Sequence, residues 1–279
     1  MTHPTLPNQT HIDSAHFRVI DLDRALGFYR DVLGFTVTEE APATVALSAS
    51  PNEPPILRLT EHPSAVRKPQ RSIGLYHVAI LMPSRQALGR ILNQMLAHRY
   101  PIGGASDHLV SEALYLSDPD GNGLEIYRDR PRSEWRMNGE QVEMATEALD
   151  VDGVLAAAGN PPAEGVIPGT IIGHVHLHVS DLARAEAFYS DLLGFDVVQR
   201  SYPGALFVSA GGYHHHIGLN IWAGKAAPPP NAVGLEAFTI AIPGEDAWRQ
   251  VVERTHATTN GNSAAARDQD GNTVLLKCV

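Results

Sequence analysis

The stretch of residues 16–35, HFRVIDLDRALGFYRDVLGF, is answered 160 positions later by residues 176–195, HLHVSDLARAEAFYSDLLGF. Self-similarity at a fixed offset limits architecture more than any single motif does, because each copy must fold as the same unit and bury its apolar face against a neighbour. The unit reads as a strand, a helix and further strands. Residues 17–20 are rich in strand formers, and Asp21 suits a helix N-cap. Leu22, Ala25, Leu26, Tyr29, Val32 and Leu33 follow at helical spacing, and Gly34 stands where a helix would stop. Residues 36–38, 45–47 and 56–59 then read as strands. The second copy repeats this with a strand at 177–179, a helix over 181–193, Gly194, and strands at 197–198, 206–208 and 217–221.

Two more distant copies complete the pattern. Residues 74–83, GLYHVAILMP, match residues 234–243, GLEAFTIAIP, again 160 positions apart. Residues 118–125, DPDGNGLE, match residues 268–275, DQDGNTVL, as an Asp-Gly-Asn turn running into a strand. The chain is thus four βαβββ-like modules, over 12–62, 73–128, 171–223 and 233–278. In domain terms, 1–130 holds modules one and two, 170–279 holds modules three and four, and 131–169 is a linker with one helix expected over 141–158.

Bulk properties narrow the function classes. A length of 279 residues suits two domains with their own cores. A net charge of -10 argues against non-specific nucleic-acid binding, which needs a basic face. The lone cysteine, Cys278, excludes an intramolecular disulfide, and no apolar run is long enough for a membrane span. With no basic and apolar leader at the start, a cytoplasmic location is expected.

The residues Phe28-Tyr29 before Val32-Leu33-Gly34-Phe35, and Asp118-Pro-Asp-Gly-Asn with Glu125 on the following strand, resemble the vicinal oxygen chelate superfamily. That superfamily holds glyoxalase I, fosfomycin-resistance and bleomycin-binding proteins, and type I extradiol dioxygenases. The resemblance covers nearly the whole chain outside the linker. It implies an α+β fold in which the four βαβββ modules form two half-open β-barrels with helices outside. The four-module length, with the segments 106–111 and 212–219, looks most like the catechol 2,3-dioxygenase branch.

The resemblance places metal ligands at two strand positions of a module, here His77 on the first strand of module two and Glu125 on its last. Imidazole and carboxylate are good ligands for a borderline divalent ion. A carboxylate in the apolar strand around Glu125 would be costly inside a barrel without a cation, although strand alternation alone also allows a solvated face. The twins in module four, Ala237 and Leu275, cannot bind metal, and module one offers Ser14. Module three offers His174. Alternation puts His176 and His178 on the same side, so only alignment to the family pattern selects His174.

His77, Glu125 and His174 form a set of two histidines and one carboxylate, typical of non-haem Fe(II) oxygenases. The implied cofactor is Fe(II), with Mn(II) as the other fitting ion. The implied partners are a chelating catechol-type substrate and O2, with neither nucleic acid nor membrane, and a homo-oligomer is allowed. Glyoxalase-type chemistry normally uses four protein ligands, and the fourth positions fall near Arg58 and Gly218, neither of them a ligand. The resemblance also assigns His215 as an acid/base, suited to proton transfer near neutral pH, unless it belongs to a structural histidine run. By alternation His214 and His216 should face away from it. Tyr115 is the active-site tyrosine of the pattern. His108 is a further pocket residue, two positions off the dioxygenase spacing. Other readings within the fold are a metal-dependent isomerase or thiol transferase, and a metal-free binder of aromatic ligands.

This ligand set carries a topological demand. His77 and Glu125 belong to module two and His174 to module three, yet each must lie about 2.0–2.2 Å from one ion. Modules must therefore pair crosswise, two with three and one with four, or exchange equivalently between subunits.

Overall fold

A computed structural model of the chain describes residues 3–139, 141–159 and 165–279. Each module starts with a strand and a helix, and three strands follow. Module one is His11–Val19, the helix Leu22–Tyr29, Thr36–Ala41, Thr44–Ser48 and Leu57–Glu61. Module two is Gly74–Leu81, the helix Arg85–Ala97, Gly104–Asp107, Ser111–Ser117 and Gly123–Asp129. Module three is Ile171–His178, a helix over Leu182–Glu186 that continues as the π-helical Ala187–Leu192, Asp196–Gln199, Ala205–Ser209 and Ile217–Asn220. Module four is Gly234–Ile242, the helix Glu245–Thr255, Thr258–Asn260, Ser263–Arg267 and Thr273–Cys278. Asp21 and Asp181 cap their helices as expected, accepting from the backbone of Arg24 and Arg184 at 2.8 and 2.9 Å.

The modules pair crosswise within one chain. Antiparallel pairing of His11–Val19 with Gly234–Ile242 joins modules one and four into an eight-stranded sheet. The same pairing of Gly74–Leu81 with Ile171–His178 joins modules two and three into a nine-stranded sheet. In each module the first strand runs parallel to the last. Alternation along the strands sends Phe17, Val19, Leu57 and Leu59 to one continuous core and leaves His16, Arg18, Arg58 and Thr60 on the other face.

If sheets join two with three and one with four, something else must tie one to two and three to four. The Asp-Gly-Asn turns do this. Asp118 accepts from Asn122 Nδ2 at 2.8 Å, from the backbone of Asp120 and Asn122, and from the Tyr29 hydroxyl of module one at 3.1 Å. Asp120 accepts from Ile20 N, at the corner between the first strand and helix of module one. The other half repeats the arrangement: Tyr189 donates to Asp268 at 2.9 Å, and Ser180 N donates to Asp270. The repeated Phe-Tyr and Asp-x-Asp-Gly-Asn motifs are therefore two ends of one clamp. Burial raises Asp118 and Asp268 above the usual carboxylate range despite these donors.

The segment 131–169 does more than connect. The helix expected over 141–158 forms only as Val151–Ala157. Ahead of it, Gln141–Val142 and Glu147–Ala148 are extended, the latter as the ninth strand beside Gly104–Asp107. Tertiary partners claim these residues before a helix can: Gln199 Nε2 donates to Val142 O, and Ala145 N to His108 O. Asp150 then starts the helix by accepting from Gly153 N. No helix among the described residues is long and apolar enough to cross a membrane.

Removing one donor of a clamp leaves a buried carboxylate short of a hydrogen bond. Tyr29→Phe and Tyr189→Phe are each expected to lower unfolding free energy by about 1.5–3 kcal/mol, read by urea denaturation. A neutral result for both would mean that the clamps do not hold the halves together.

Candidate active site

The nine-stranded sheet sets four side chains in a row across adjacent strands. Tyr115 pairs with Glu125, Glu125 with Ala79, and Ala79 with His174. His77 lies two residues before Ala79 and so on the same face. Ala79 is fully buried and contributes only a methyl group between the flanking residues. Their polar ends meet above it: Glu125 Oε2 lies 3.0 Å from His77 Nε2 and 3.2 Å from His174 Nε2, and the two imidazole nitrogens are 3.4 Å apart. All three side chains are buried, and they are the one group of three or more such donors within 4.8 Å of each other among the described residues. At the corresponding places of the other sheet, Ser14 bonds Thr239 at 3.1 Å, and Ala237 and Leu275 offer no ligand.

Three donors on one face of an octahedron, each about 2.1 Å from a shared ion, stand roughly 3.0 Å apart. The observed triangle of edges 3.0, 3.2 and 3.4 Å fits a first-row divalent ion. Protonation fits as well. Burial lowers His174 to about 4 against the opposing pull of Glu125, leaving the uncharged, metal-binding form of imidazole at neutral pH. Burial works to raise Glu125, but its imidazole neighbours, His174 first and then His77, hold it well below the usual carboxylate range. Nδ1 of His174 has no hydrogen-bond partner among the described residues. Packing against His215, with ring centroids at 4.1 Å, and Tyr127, at 5.0 Å, fixes that ring instead. Gly173 admits Tyr127 there, since a Cβ on residue 173 would fall 1.8 Å from its hydroxyl oxygen.

The triad opens onto a cavity of about 350 Å³ that His215, Tyr115 and His108 also line. His108 and Tyr115 act as a pair. The carbonyl of Ala145 can only accept, so His108 Nδ1 donates to it at 2.6 Å, and His108 Nε2 accepts from the Tyr115 hydroxyl at 2.5 Å. Burial and the neighbouring Glu125 push Tyr115 well above the ordinary phenol range, so it keeps its proton.

His215 heads a longer chain. Asp129 Oδ1 accepts from His214 Nε2 at 2.9 Å and from the Tyr213 hydroxyl at 3.1 Å. His214 Nδ1 is then bare and accepts from His215 Nδ1 at 2.8 Å. The remaining nitrogen of His215, Nε2, keeps its lone pair. Burial holds His215 well below the ordinary imidazole range. Residues 213–216 are a bend, not a strand, so the expectation that His214 faces opposite to His215 fails: His214 is fully buried behind His215 and bonded to it. His216 does turn away, to Ser209 Oγ at 3.1 Å and the backbone of Ala210 at 3.2 Å.

Several lining residues carry no site role in the sequence pattern, His176 among them although alternation sets it on the side of His174. His176 meets His77 with ring centroids at 5.0 Å and fills the space above Gly218, where a Cβ would lie 2.8 Å from its ring. Asn220 sets its tautomer. Asn220 Oδ1 accepts from Trp222 N at 3.1 Å, so its Nδ2 faces His176 Nε2 at 2.9 Å and donates to it, which leaves the proton of His176 on Nδ1. Met144, Ala145 and Thr146 reach the cavity from the connecting segment, and Thr146 Oγ1 meets the Tyr202 hydroxyl at 3.1 Å. Asp129 lies 85 residues before His214, with no spacing to announce the contact.

Comparisons with known proteins return relatives of the same family and fold. The model of the Glyoxalase/Bleomycin resistance protein/Dioxygenase superfamily matches residues 11–126 and 171–276, and the chain belongs to that superfamily. A curated relative, catechol-2,3-dioxygenase of Bacillus subtilis (strain 168), is 50% identical over 256 residues, covering 90% of this chain and 89% of the relative. That degree of identity places the chain with the dioxygenases of the superfamily. In fold alone it is similar to a crystal structure from Bacillus subtilis subsp. subtilis str. 168, with TM-score 0.64 and 14% identity over 99% of this chain and 86% of that one. It is likewise similar to glyoxalase I from Zea mays, with TM-score 0.58 and 16% identity over 97% and 92% of the two chains.

The tight seat of Tyr127 over residue 173 makes a sharp prediction. Gly173→Ala is expected to cost about 1–3 kcal/mol of stability by overpacking, measured by chemical denaturation. Tyr127→Phe, which removes the clashing oxygen, should recover part of that loss when combined with it.

Proposed function

We propose that the protein is an Fe(II)-dependent extradiol dioxygenase that opens the ring of a catechol with O2, with His77, Glu125 and His174 holding the metal. The observation that carries the reading is the convergence of these three donors, with edges of 3.0–3.4 Å, at the floor of a cavity large enough for a single-ring substrate. The 50% identity to a catechol-2,3-dioxygenase supports the same reaction. Two imidazoles and one carboxylate on one face leave further coordination positions free, as an oxygenase needs and a fully ligated site lacks. When bound, such an ion supplies Lewis acidity and an electron path between the chelated substrate and O2.

The chain's own residues handle protons and position. His215 is the base. Its Nε2 lone pair is free because its Nδ1 proton is given to His214, which in turn is fixed by Asp129. The uncharged imidazole takes up a hydroxyl proton as the substrate binds and returns it to the product. Asp129 and His214 are positioning residues that keep the correct tautomer facing the cavity and balance the charge His215 gains. Tyr115 stays protonated with its hydrogen directed at His108, so its oxygen presents lone pairs to a substrate hydroxyl. The burial of His77, Glu125, His174 and His215 limits the access of water to the reacting ring.

Anaerobic reconstitution with Fe(II), followed by oxygen uptake with catechols, tests the reading directly. Wild-type protein should bind iron stoichiometrically and cleave catechol, while His77→Ala, Glu125→Ala and His174→Ala should each lose the metal, measured by elemental analysis. Activity that survives His77→Ala would refute the site. A second set separates the base from the metal. His215→Ala should retain iron but lose roughly 10²–10⁴-fold in kcat. Asp129→Asn should lose less and in the same direction, with KM for the catechol little changed. Unaltered turnover in His215→Ala would remove it from the reaction.

A further inference from the structure

The same strand irregularity recurs in both sheets. Where Gly74–Leu81 pairs with Ile171–His178, the register shifts between His176 and Leu177 and leaves Tyr76 without a partner residue. The twin seam shifts between His16 and Phe17 and leaves Glu236 unpaired in the same way. A bulge residue of this kind has its side chain re-aimed, and each of these meets the histidine across the seam. Glu236 Oε2 lies 3.2 Å from His16 Nε2. The Tyr76 ring stands 5.1 Å from that of His176 and 4.7 Å from those of His77 and His178. Tyr76 therefore lines the substrate cavity together with His77, its neighbour in the strand, and is still 39% exposed.

Tyr76, His77 and Tyr115 also line a second cavity, of about 880 Å³. Its inner wall includes the buried Leu75, Leu116 and Leu124. Its charged lining residues are Arg67, Lys68 and Asp118. Asp118 is committed to its clamp, where Tyr29, Asn122 and the backbone of Asp120 donate to it. The two cations, from the link between modules one and two, hold only carbonyl oxygens among the described residues. Arg67 donates to Pro119 O at 3.1 Å and Lys68 to Ser72 O at 3.0 Å. Backbone bonds fix this link to the one between modules three and four: Val66 N donates to Asn231 O, Val233 N to Val66 O, and Ile73 N to Ala226 O. Lys68 is thus a half-buried ammonium in a fixed place with no carboxylate partner, a setting that favours an incoming anion.

Ring opening makes such an anion. Both atoms of O2 enter the product as the bond between a hydroxylated ring carbon and its unhydroxylated neighbour breaks. The first carbon becomes a carboxyl, the second an aldehyde, and the other hydroxyl remains as an enol. The carboxyl proton passes to solvent, so a neutral ring leaves as a monoanionic chain. No lysine or arginine lines the substrate cavity among the described residues, so away from the metal the new carboxylate meets no side-chain cation there. Beyond Tyr76 it meets two.

We propose that the second cavity is a product site, in which Lys68, helped by Arg67, takes the carboxylate of the opened ring, and that Tyr76 is the partition the product passes. This rests on the dioxygenase reading above and adds an exit to it.

Sorbate, a six-carbon dienoate, stands in for the product, and 2,4-hexadien-1-ol is its uncharged counterpart. Calorimetry is done without oxygen on iron-loaded protein with 4-nitrocatechol present to occupy the metal. Sorbate should bind about tenfold or more tighter than the alcohol. Lys68→Met should remove that preference, and Lys68→Arg should keep most of it. Displacement of sorbate by 4-nitrocatechol, or equal binding by Lys68→Met, would overturn the proposal. With catechol and O2, stopped flow separates ring cleavage from release. In Lys68→Met the ratio of single-turnover rate to steady-state kcat should rise roughly tenfold, and in Tyr76→Ala it should fall below the wild-type value. An unchanged ratio in Lys68→Met would overturn the exit, as would a loss confined to kcat/KM, which marks an entrance. If no catechol is cleaved while Lys68 still sets sorbate binding, the dioxygenase reading fails and the carboxylate site stands.

Discussion

The antiparallel seam between Gly74–Leu81 and Ile171–His178 is the constraint on which everything else turns. It fuses two modules that are not neighbours in the repeat order into one sheet, and it sets His174 beside Ala79 while Ala79 lies beside Glu125. A slip of one residue along this seam would turn every inward side chain outward. The register is pinned by irregularity as well as by pattern. A shift between Ile172 and His174 leaves Gly173 unpaired, and that glycine alone leaves room for the Tyr127 hydroxyl beneath the metal-type cluster.

The same duplication serves opposite ends in the two sheets. Both have identical strand order within their modules, and both are clamped by a tyrosine reaching an Asp-Gly-Asn turn. In the sheet of modules one and four, the inward positions hold small or mutually bonded groups, such as Ser14 with Thr239 and His16 with Thr60. In the sheet of modules two and three the equivalent positions carry the buried donors. Both sheets contribute to one continuous core and to both clamps, and only the second also buries an otherwise expensive set of polar groups on its other face.

Much of this was legible in the residues, for identifiable reasons. Helix caps and Asp-Gly-Asn turns follow from local chemistry, which a sequence carries explicitly. The set His77, Glu125 and His174 is legible through the resemblance to the family pattern, since alternation alone does not separate His174 from His176 and His178, and the crosswise pairing follows from the need to bring those three together. Strand alternation misled at His214, because residues 213–216 bend where a strand was assumed. Asp129, at the end of its strand, is tied to His214 only through tertiary contact. The extended segments at Gln141–Val142 and Glu147–Ala148 have no periodicity of their own and take their shape from His108 and Gln199.

The connecting segment has a consequence for how such a protein can change. The seam, the clamps and the buried donors all lie in the repeated modules, where a substitution disturbs register, packing or charge at once. Met144 and Thr146 lie outside the repeats, on a strap that one short strand and a few side-chain bonds lay over the cavity. The molecule thus keeps the part that performs chemistry separate from part of the surface that inspects what enters. New specificities can be written into the strap while the cost to folding stays small.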